Sequence, residues 1–362
     1  MNLNPSMSNG YRVVDTFIKI VIIFKYLNRF DHCLVVWYIG SDYSGFLTGC
    51  AASFKRYQFM GIPTYQRTIC NDVGFSGVGL HSGRTVHLTL KPAPVNYGIK
   101  FVRKDLPDDP TIPARFNCVV DTSLATVIGS DGVIVSTIEH LMACLAGLSI
   151  DNVMAELDSY EVPVMDGSAG PFTRMIMQAG IREQEAARHF FVLKEPIELE
   201  QDGKFVGAYP DTTFKITCNI DFEHPVIRKQ SCTIEVVDYI FEREICSART
   251  FGFLHEVEYM KRYGLARGGS LDNAVVIHEK GILNEEGLRF HDEFVRHKLL
   301  DCIGDFSLLG MPILAHIVTH KSGHAFNHAF LENFFRNKAS WQTQTLPKPA
   351  EPASKTANSL AI

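Results

Sequence analysis

The chain of 362 residues has no long apolar run, no surplus of basic charge, no Cys-x-x-C pair and no sequence repeat between its halves. The stretch that most resembles a leader, Val13 to Leu27, is broken by Asp15, Lys19 and Lys25, which leaves only Ile20 to Phe24 uninterrupted. A signal-peptide core needs about 7–15 such residues and a spanning helix about 20. Tyr43 to Phe54 carries no charge, but it contains Gly and Ser and is also too short to span. A mean hydropathy of +0.02 excludes a multi-span membrane protein. With 35 Lys+Arg against 40 Asp+Glu the formal charge is -5, which disfavours a nucleic-acid partner, because phosphate backbones are bound through basic surfaces. The nine cysteines are odd in number and lack paired spacing. They fit reduced, mostly buried thiols in an intracellular protein, not a disulfide framework or a Cys zinc site.

What is present is a globular composition, 46% apolar, 21% charged and 11% aromatic, in a length that suits about two domains. Residues 1–60 stand apart. Arg12, Lys19, Lys25, Arg29, Lys55 and Arg56 against Asp15, Asp31 and Asp42 make them net basic inside an acidic chain. This segment, to about residue 61, reads as an extension outside the catalytic fold, with Met60 as the functional start. Its alternating basic and apolar residues give the rival reading of a peripheral membrane anchor.

Regular patterning begins at Thr64. Val86, Leu88 and Leu90 alternate with polar residues as a half-buried strand, and Ile99 to Val102 follows a Lys91-Pro92-Ala93-Pro94 turn, which predicts a hairpin. Ser136-x-x-Glu139 has the form of a capping box opening a helix that stops at Gly147. A second helix is predicted from Pro171 to Ala179, ended by Gly180. The polar stretch Arg182 to His189 marks a domain boundary before strands that start near Phe190. Further strands are predicted at 204–208, 214–220 and 313–318, with helices at 291–309 and 325–335. Beyond Asn337 the pattern fades, and 337–362 is expected to be a disordered tail. The fold class is α+β, with domains at 62–185 and 190–336.

The 291–309 helix is apolar over most of its circumference, through Phe294, Val295, Leu299, Leu300, Cys302, Ile303 and Phe306. His297, Asp301 and Asp305 interrupt it every four residues, each about 40° round the axis from the last, and so form one stripe. Buried carboxylates need partners, so the stripe either pairs with Lys or Arg from another element or coordinates a cation. His-x-x-x-Asp presents two ligand atoms on one face, as two-His helices do for zinc, although such spacing also arises by chance. Glu139-His140 is the candidate second half-site, with Cys144 and Gly147 leaving room beside His140. Two imidazoles and a carboxylate leave a zinc position open for water, and a neighbouring carboxylate is the usual base. Taken singly, Glu139 equally completes the capping box and His140 equally reads as a satisfied core histidine.

Five motifs occur in order: Gly77-Val78-Gly79-Leu80-His81-Ser82-Gly83, Ser136-Thr137-Ile138-Glu139-His140-Leu141, Glu161-x-Pro163-x-x-Asp166-Gly167-Ser168, His297-Lys298-x-x-Asp301-x-x-Gly304-Asp305 and Lys321-Ser322-Gly323-His324. Together they resemble the UDP-3-O-acyl-N-acetylglucosamine deacetylase family, over about Thr64 to Phe335. The family's start near the equivalent of Tyr65 supports Met60. The resemblance implies hydrolysis of the N-acetyl group of a UDP-bound acylated glucosamine, the committed step of lipid A synthesis in Gram-negative bacteria. It implies two domains of similar topology, each a β-sheet packed on α-helices that face each other at the active site. A small β-α-β insertion at about 253–281 belongs to the second domain.

By resemblance His140, His297 and Asp301 match zinc ligands, with Fe2+ as the alternative metal. Glu139 matches the general base and Thr250, in Ser247-Ala248-Arg249-Thr250-Phe251, the hydroxyl donor beside the metal. His324 matches the group that protonates the leaving amine, and Asp305 its orienting partner. Lys298 and Lys321 match basic residues near the sugar diphosphate, and Phe251 an apolar wall of the sugar pocket. Leu265, Ala266, Ser270, Ala274 and Val276 match the acyl-chain passage, whose small residues leave a slot for methylenes. Arg267 departs from the apolar or small residue expected there, which puts the acyl-chain length in doubt. The implied protein is a cytoplasmic monomer, at most loosely associated with the inner membrane. Two other classes stay open. A zinc deacetylase of another N-acyl sugar would not need the tunnel, and a non-catalytic, metal-stabilised binding protein would tolerate loss of Glu139 or His324.

Overall fold

Apolar alternation at 73–92 and 153–157 builds the first sheet around Val86, Leu88 and Leu90, which are fully buried. In the computed structural model, which describes residues 61–347, β1 (Tyr65–Ile69) pairs antiparallel with β10 (Ile181–Ala187). Between them β2 (Val73–Val78), β3 (Thr85–Pro92), β4 (Ile99–Arg103), β5 (Thr111–Pro113) and β9 (Val153–Leu157) form a sheet in the order β2-β3-β9-β4-β5. Only its β4–β9 pair is parallel. A small sheet of β6 (Val119–Asp121), β7 (Val127–Ser130) and β8 (Val133–Val135) is inserted before α1 (Glu139–Gly147), and α2 (Gly170–Ala179) follows β9.

The second half follows the same plan. β11 (His189–Leu193) pairs antiparallel with β20 (Trp341–Thr345). The strands β12 (Ile197–Gln201), β13 (Lys204–Pro210), β14 (Phe214–Asp221), β15 (Lys229–Glu235) and β19 (Ile313–His320) run β12-β13-β19-β14-β15 with β14–β19 parallel, and β11 joins the start of β19, also in parallel, so that the sheet has seven strands. Its insert lies where β6–β8 lie in the first half. β16 (Phe251–Phe253), α3 (Leu254–Arg262) and β17 (Val275–His278) form a β-α-β unit with parallel strands, extended by β18 (Gly281–Ile282). α4 (Glu293–Ser307) then precedes β19 and α5 (His324–Arg336) follows it. Each half is thus α+β, a sheet packed on two helices, as the resemblance implies, and the second carries the implied insertion. No sequence repeat accompanies this correspondence, because a fold needs only compatible burial patterns.

The halves share one continuous core, and α1 packs against α4. The contact is backbone-close: a Cβ at residue 304 would lie 2.1 Å from the Glu139 carbonyl oxygen, so only glycine lets the helices meet there. Among the described residues no helix is long and apolar enough to cross a membrane, and the cysteines are free thiols.

Four expectations are corrected. β3 and β4 are not a hairpin, since β9 lies between them and hydrogen-bonds to both. The capping box does not form: α1 has no side-chain cap, because Thr137 takes a positive φ of 59° and Ser136 is engaged with Tyr160 and Glu161. The polar stretch after Arg182 is strand β10, polar because a two-stranded ribbon leaves most of it exposed. Order also continues past 337. Lys338–Ser340 makes a helical turn and β20 closes on β11, anchored by Trp341, whose indole stacks on Phe334 at 5.3 Å and donates to the Phe334 carbonyl. The basic N-terminal extension, with the start at Met60 and its rival anchor, lies outside the described residues, as does the tail beyond 347.

Candidate metal centre and active site

The α1–α4 contact brings the two half-sites together. His140 lies in the first turn of α1, while His297 and Asp301 lie one turn apart on α4, all three buried. One ligand atom from each lies within 4.8 Å of the others. Asp301 Oδ1 is 3.3 Å from His297 Nε2 and 3.7 Å from His140 Nε2. Atoms bound to one tetrahedral ion at about 2.1 Å are spaced by about 3.4 Å, so the cluster has the spacing of a shared cation. The His297 Nδ1 lies 3.0 Å from the Ala248 carbonyl, and donating to it leaves Nε2 as the lone-pair atom facing the cluster.

The electrostatics agree. Burial, reinforced by the neighbouring imidazole, lowers His140 to about 3, and burial also lowers His297, so both rings are neutral ligands at pH 7. Burial alone would raise the Asp301 carboxyl, but the positive charge around it, carried at pH 7 by Lys298 and His324, holds it well below the usual range. Its Oδ2 accepts from Lys298 Nζ at 2.7 Å, whereas its buried Oδ1 has no hydrogen-bond partner. A buried, ionised oxygen left unpaired is costly unless something charged meets it. Two neutral imidazoles and this oxygen fit a divalent metal ion with a position left open.

Glu139 is the first residue of α1 and is buried beside the cluster. Burial is the largest influence on its carboxyl, followed by the opposing pull of His324 and the repulsion of Asp301 and Asp305, and the result is about 7. One Glu139 oxygen accepts the Thr126 backbone N–H at 3.1 Å. His324 opens α5, and its Nδ1 meets Asp305 Oδ2 at 2.9 Å. Burial would lower this imidazole, but Asp305, Glu139 and Asp301 outweigh it and raise it to about 9. Asn327 Nδ2 donates to the same Asp305 oxygen at 2.8 Å.

The family model described as LpxC, UDP-3-O-acyl N-acetylglycosamine deacetylase, matches residues 66–336. This chain belongs to that family. A UDP-3-O-acyl-N-acetylglucosamine deacetylase of Myxococcus xanthus (strain DK1622) is 53% identical over 277 residues, 76% of this chain and 88% of the relative. Deacetylases of the same name from Syntrophotalea carbinolica (strain DSM 2380 / NBRC 103641 / GraBd1) and Syntrophus aciditrophicus (strain SB) are 51% and 46% identical, each over 77% of this chain and over 90% and 89% of their own lengths.

The other positions singled out by the resemblance lie on several elements of the second half. Thr250 is half-buried just before β16, two residues from the Ala248 carbonyl that holds His297; its N–H donates to Gly167, whose φ of +82° sets that close crossing. Phe251 meets the His297 ring edge to face at 6.3 Å and Phe294 at 5.0 Å. Lys298 is bonded to Asp301, as its i, i+3 spacing allows, and Lys321 pairs with Asp221 at 2.9 Å. In the insert Ala266 and Val276 are buried, Ala274 is half-buried, and Leu265 and Ser270 are exposed. Arg267 is exposed as well, beside the Gly83 turn of the first half. Glu161 is fully buried and accepts the His81 and Ser82 N–H groups at 2.8 and 2.9 Å, so the first and third motifs hold each other in place.

Some residues of the site escaped sequence reasoning. Thr126, Asn327 and the buried Arg249–Glu293 pair act through contacts between elements distant in sequence. Only the Arg249 position, inside the Ser247–Phe251 motif, carried a signal.

Proposed function

We infer that this protein hydrolyses the acetamide of UDP-3-O-acyl-N-acetylglucosamine, giving acetate and UDP-3-O-acyl-glucosamine, the committed step of lipid A biosynthesis. The observation that carries the reading is the unpaired Asp301 Oδ1 facing two neutral imidazoles, with a carboxyl poised near neutrality beside them. His140, His297 and Asp301 hold the metal, zinc by donor set, with Fe2+ accepted by the same atoms. When bound, that ion acidifies the attacking water and polarises the acetamide carbonyl.

Glu139 takes the proton of the attacking water as its oxygen adds to the carbonyl carbon. The Thr250 hydroxyl donates to the oxyanion that develops. As the C–N bond breaks, the His324 imidazolium gives its proton to the leaving nitrogen, and Asp305 keeps that ring charged and aimed. The spare Lys298 donors and Lys321 attract the diphosphate, and Phe251 walls the sugar. Leu265, Ala266, Ser270, Ala274 and Val276 border the acyl chain. The two sheet-and-helix halves, the first ending with β10 and the second running from β11 to β20, are two domains of a monomer. The UDP-linked substrate favours a cytoplasmic enzyme, and its acyl chain favours at most a loose association with the inner membrane.

The test is metal content together with acetate release by the full chain. Glu139→Ala is expected to keep one equivalent of metal while activity falls by about a thousandfold, whereas His140→Ala loses the metal. Metal binding with no acetate released by the unaltered protein would overturn the assignment in favour of a binding protein.

A further inference from the structure

Thr126 sits immediately before β7, in the small sheet inserted into the first half, and is 2% exposed. Three groups from three helices converge on it. Its Oγ1 is 2.6 Å from Asp305 Oδ1 on α4 and 3.3 Å from His324 Nδ1 on α5, and its N–H reaches Glu139 Oε2 on α1 at 3.1 Å.

The proton inventory of this knot has one solution while Asp305 is ionised. A carboxylate only accepts, so the single hydroxyl proton of Thr126 goes to Asp305 Oδ1. The hydroxyl lone pairs then face His324 Nδ1, which must carry a proton to bond Asp305 Oδ2 at 2.9 Å. Asp305 Oδ2 also receives the Asn327 amide. Nδ1–H is thereby committed, and Nε2 is the one ring nitrogen left to exchange a proton with a substrate. On the other side, the Thr126 N–H occupies one oxygen of Glu139 and leaves the second for the proton of water.

We propose that Thr126 is a positioning residue for the deacetylation, its hydroxyl orienting the acid His324 through Asp305 while its backbone N–H orients the base Glu139. The inference rests on the reaction assigned above. It makes one residue set the relation between the two proton-transfer groups, and it gives the first-half insert a role, the delivery of that residue between the helix ends.

Thr126→Val isolates the side-chain half of this role, because it keeps the N–H and the shape while removing the hydroxyl. Without that donor Asp305 is a stronger acceptor and pairs more tightly with the His324 imidazolium, which becomes a weaker acid. The other charged groups bearing on His324 are Asp301 on α4 and Glu139 on α1, and neither is altered. The expected result is a kcat lower by about tenfold to a hundredfold with KM within about twofold, and an alkaline limb moved upward. Thr126→Ser, which restores the hydroxyl, should recover most of the rate. NMR titration of His324 in the metal-free protein is the second measurement, and there Thr126→Val should raise the imidazole pKa. That titration needs no turnover, so it tests the Thr126–Asp305–His324 linkage even if the unaltered protein fails to deacetylate. An unmoved His324 titration, a loss confined to KM, or a Thr126→Ser as impaired as Thr126→Val would each overturn the proposal.

Discussion

Glu139 and His324 both bind protons more tightly here than in water, the carboxyl raised to about 7 by burial and the imidazole to about 9 by the carboxylates around it. For His324 the folded value lies above the ordinary 6.5, so the stabilisation from its protonated form is complete below about 6.5 and is lost as the pH climbs through about 9. Activity that needs the imidazolium should fall over the same upper range. Asp305→Asn removes the strongest charge supporting that proton, so the alkaline limb of a kcat–pH profile should move down by more than about one unit. Near pH 8 the rate should fall by at least about twofold, reaching about tenfold when the limb moves two units. An alkaline limb left in place would show that another group controls it. At this scale much was legible in the sequence. His297, Asp301 and Asp305 recur at the helical period on an otherwise apolar helix, where charge needs a purpose. Thr126 left no trace, because a buried threonine before a short strand looks like any β-forming residue until three helices meet at it. Lys298 was legible as a basic residue of the site, but not as the partner of Asp301, since i, i+3 geometry permits that bond without requiring it.

Between residues and the whole lie the short segments that hold the ligands still. Ala248, whose carbonyl orients His297, is fixed by its neighbour Arg249, which is 2% exposed and bonds Glu293 through both its backbone N–H and its guanidinium at 2.9 Å. Glu293 is the first residue of α4, so the pair ties this segment to the helix carrying two ligands. Glu293→Ala leaves the buried guanidinium only the exposed Glu286 and the Gly287 carbonyl as partners, and should cost about 2–3 kcal/mol, read as a lower urea midpoint with m unchanged. Because Ala248 then loosens, metal affinity should fall with it. The strands and helices themselves were largely visible as alternation or helical stripes. What failed were the partnerships: β9 enters between β3 and β4 from fifty residues away, and β20 is held by one tryptophan and a ladder of backbone bonds. Local pattern encodes an element's exposed and buried faces, and says little about which neighbour covers them.

Across the described residues two halves of matching topology meet at α1 and α4, and each supplies part of the His140–His297–Asp301 cluster. The two inserts occupy equivalent places, and a threonine precedes a strand of each, Thr126 before β7 and Thr250 before β16. Topological matching of this kind was visible only through the family resemblance and not in the residues themselves, because the halves share burial order and not sequence. The register of the helix pair depends on Gly304, where a Cβ would collide with the Glu139 backbone. Gly304→Ala should therefore lower both the melting temperature and the metal affinity, measured by thermal unfolding and by competition with a chromophoric chelator. A valine or leucine truncated elsewhere in the core would affect the first far more than the second. Because the ligands are drawn from both halves, an ion held there favours the assembled state over any opened one, and stripping it should lower the melting point by mass action. Metal supply would then govern how long each molecule survives protein turnover as well as how fast it works, so a cell starved of the ion would hold fewer copies of the enzyme and not merely idle ones.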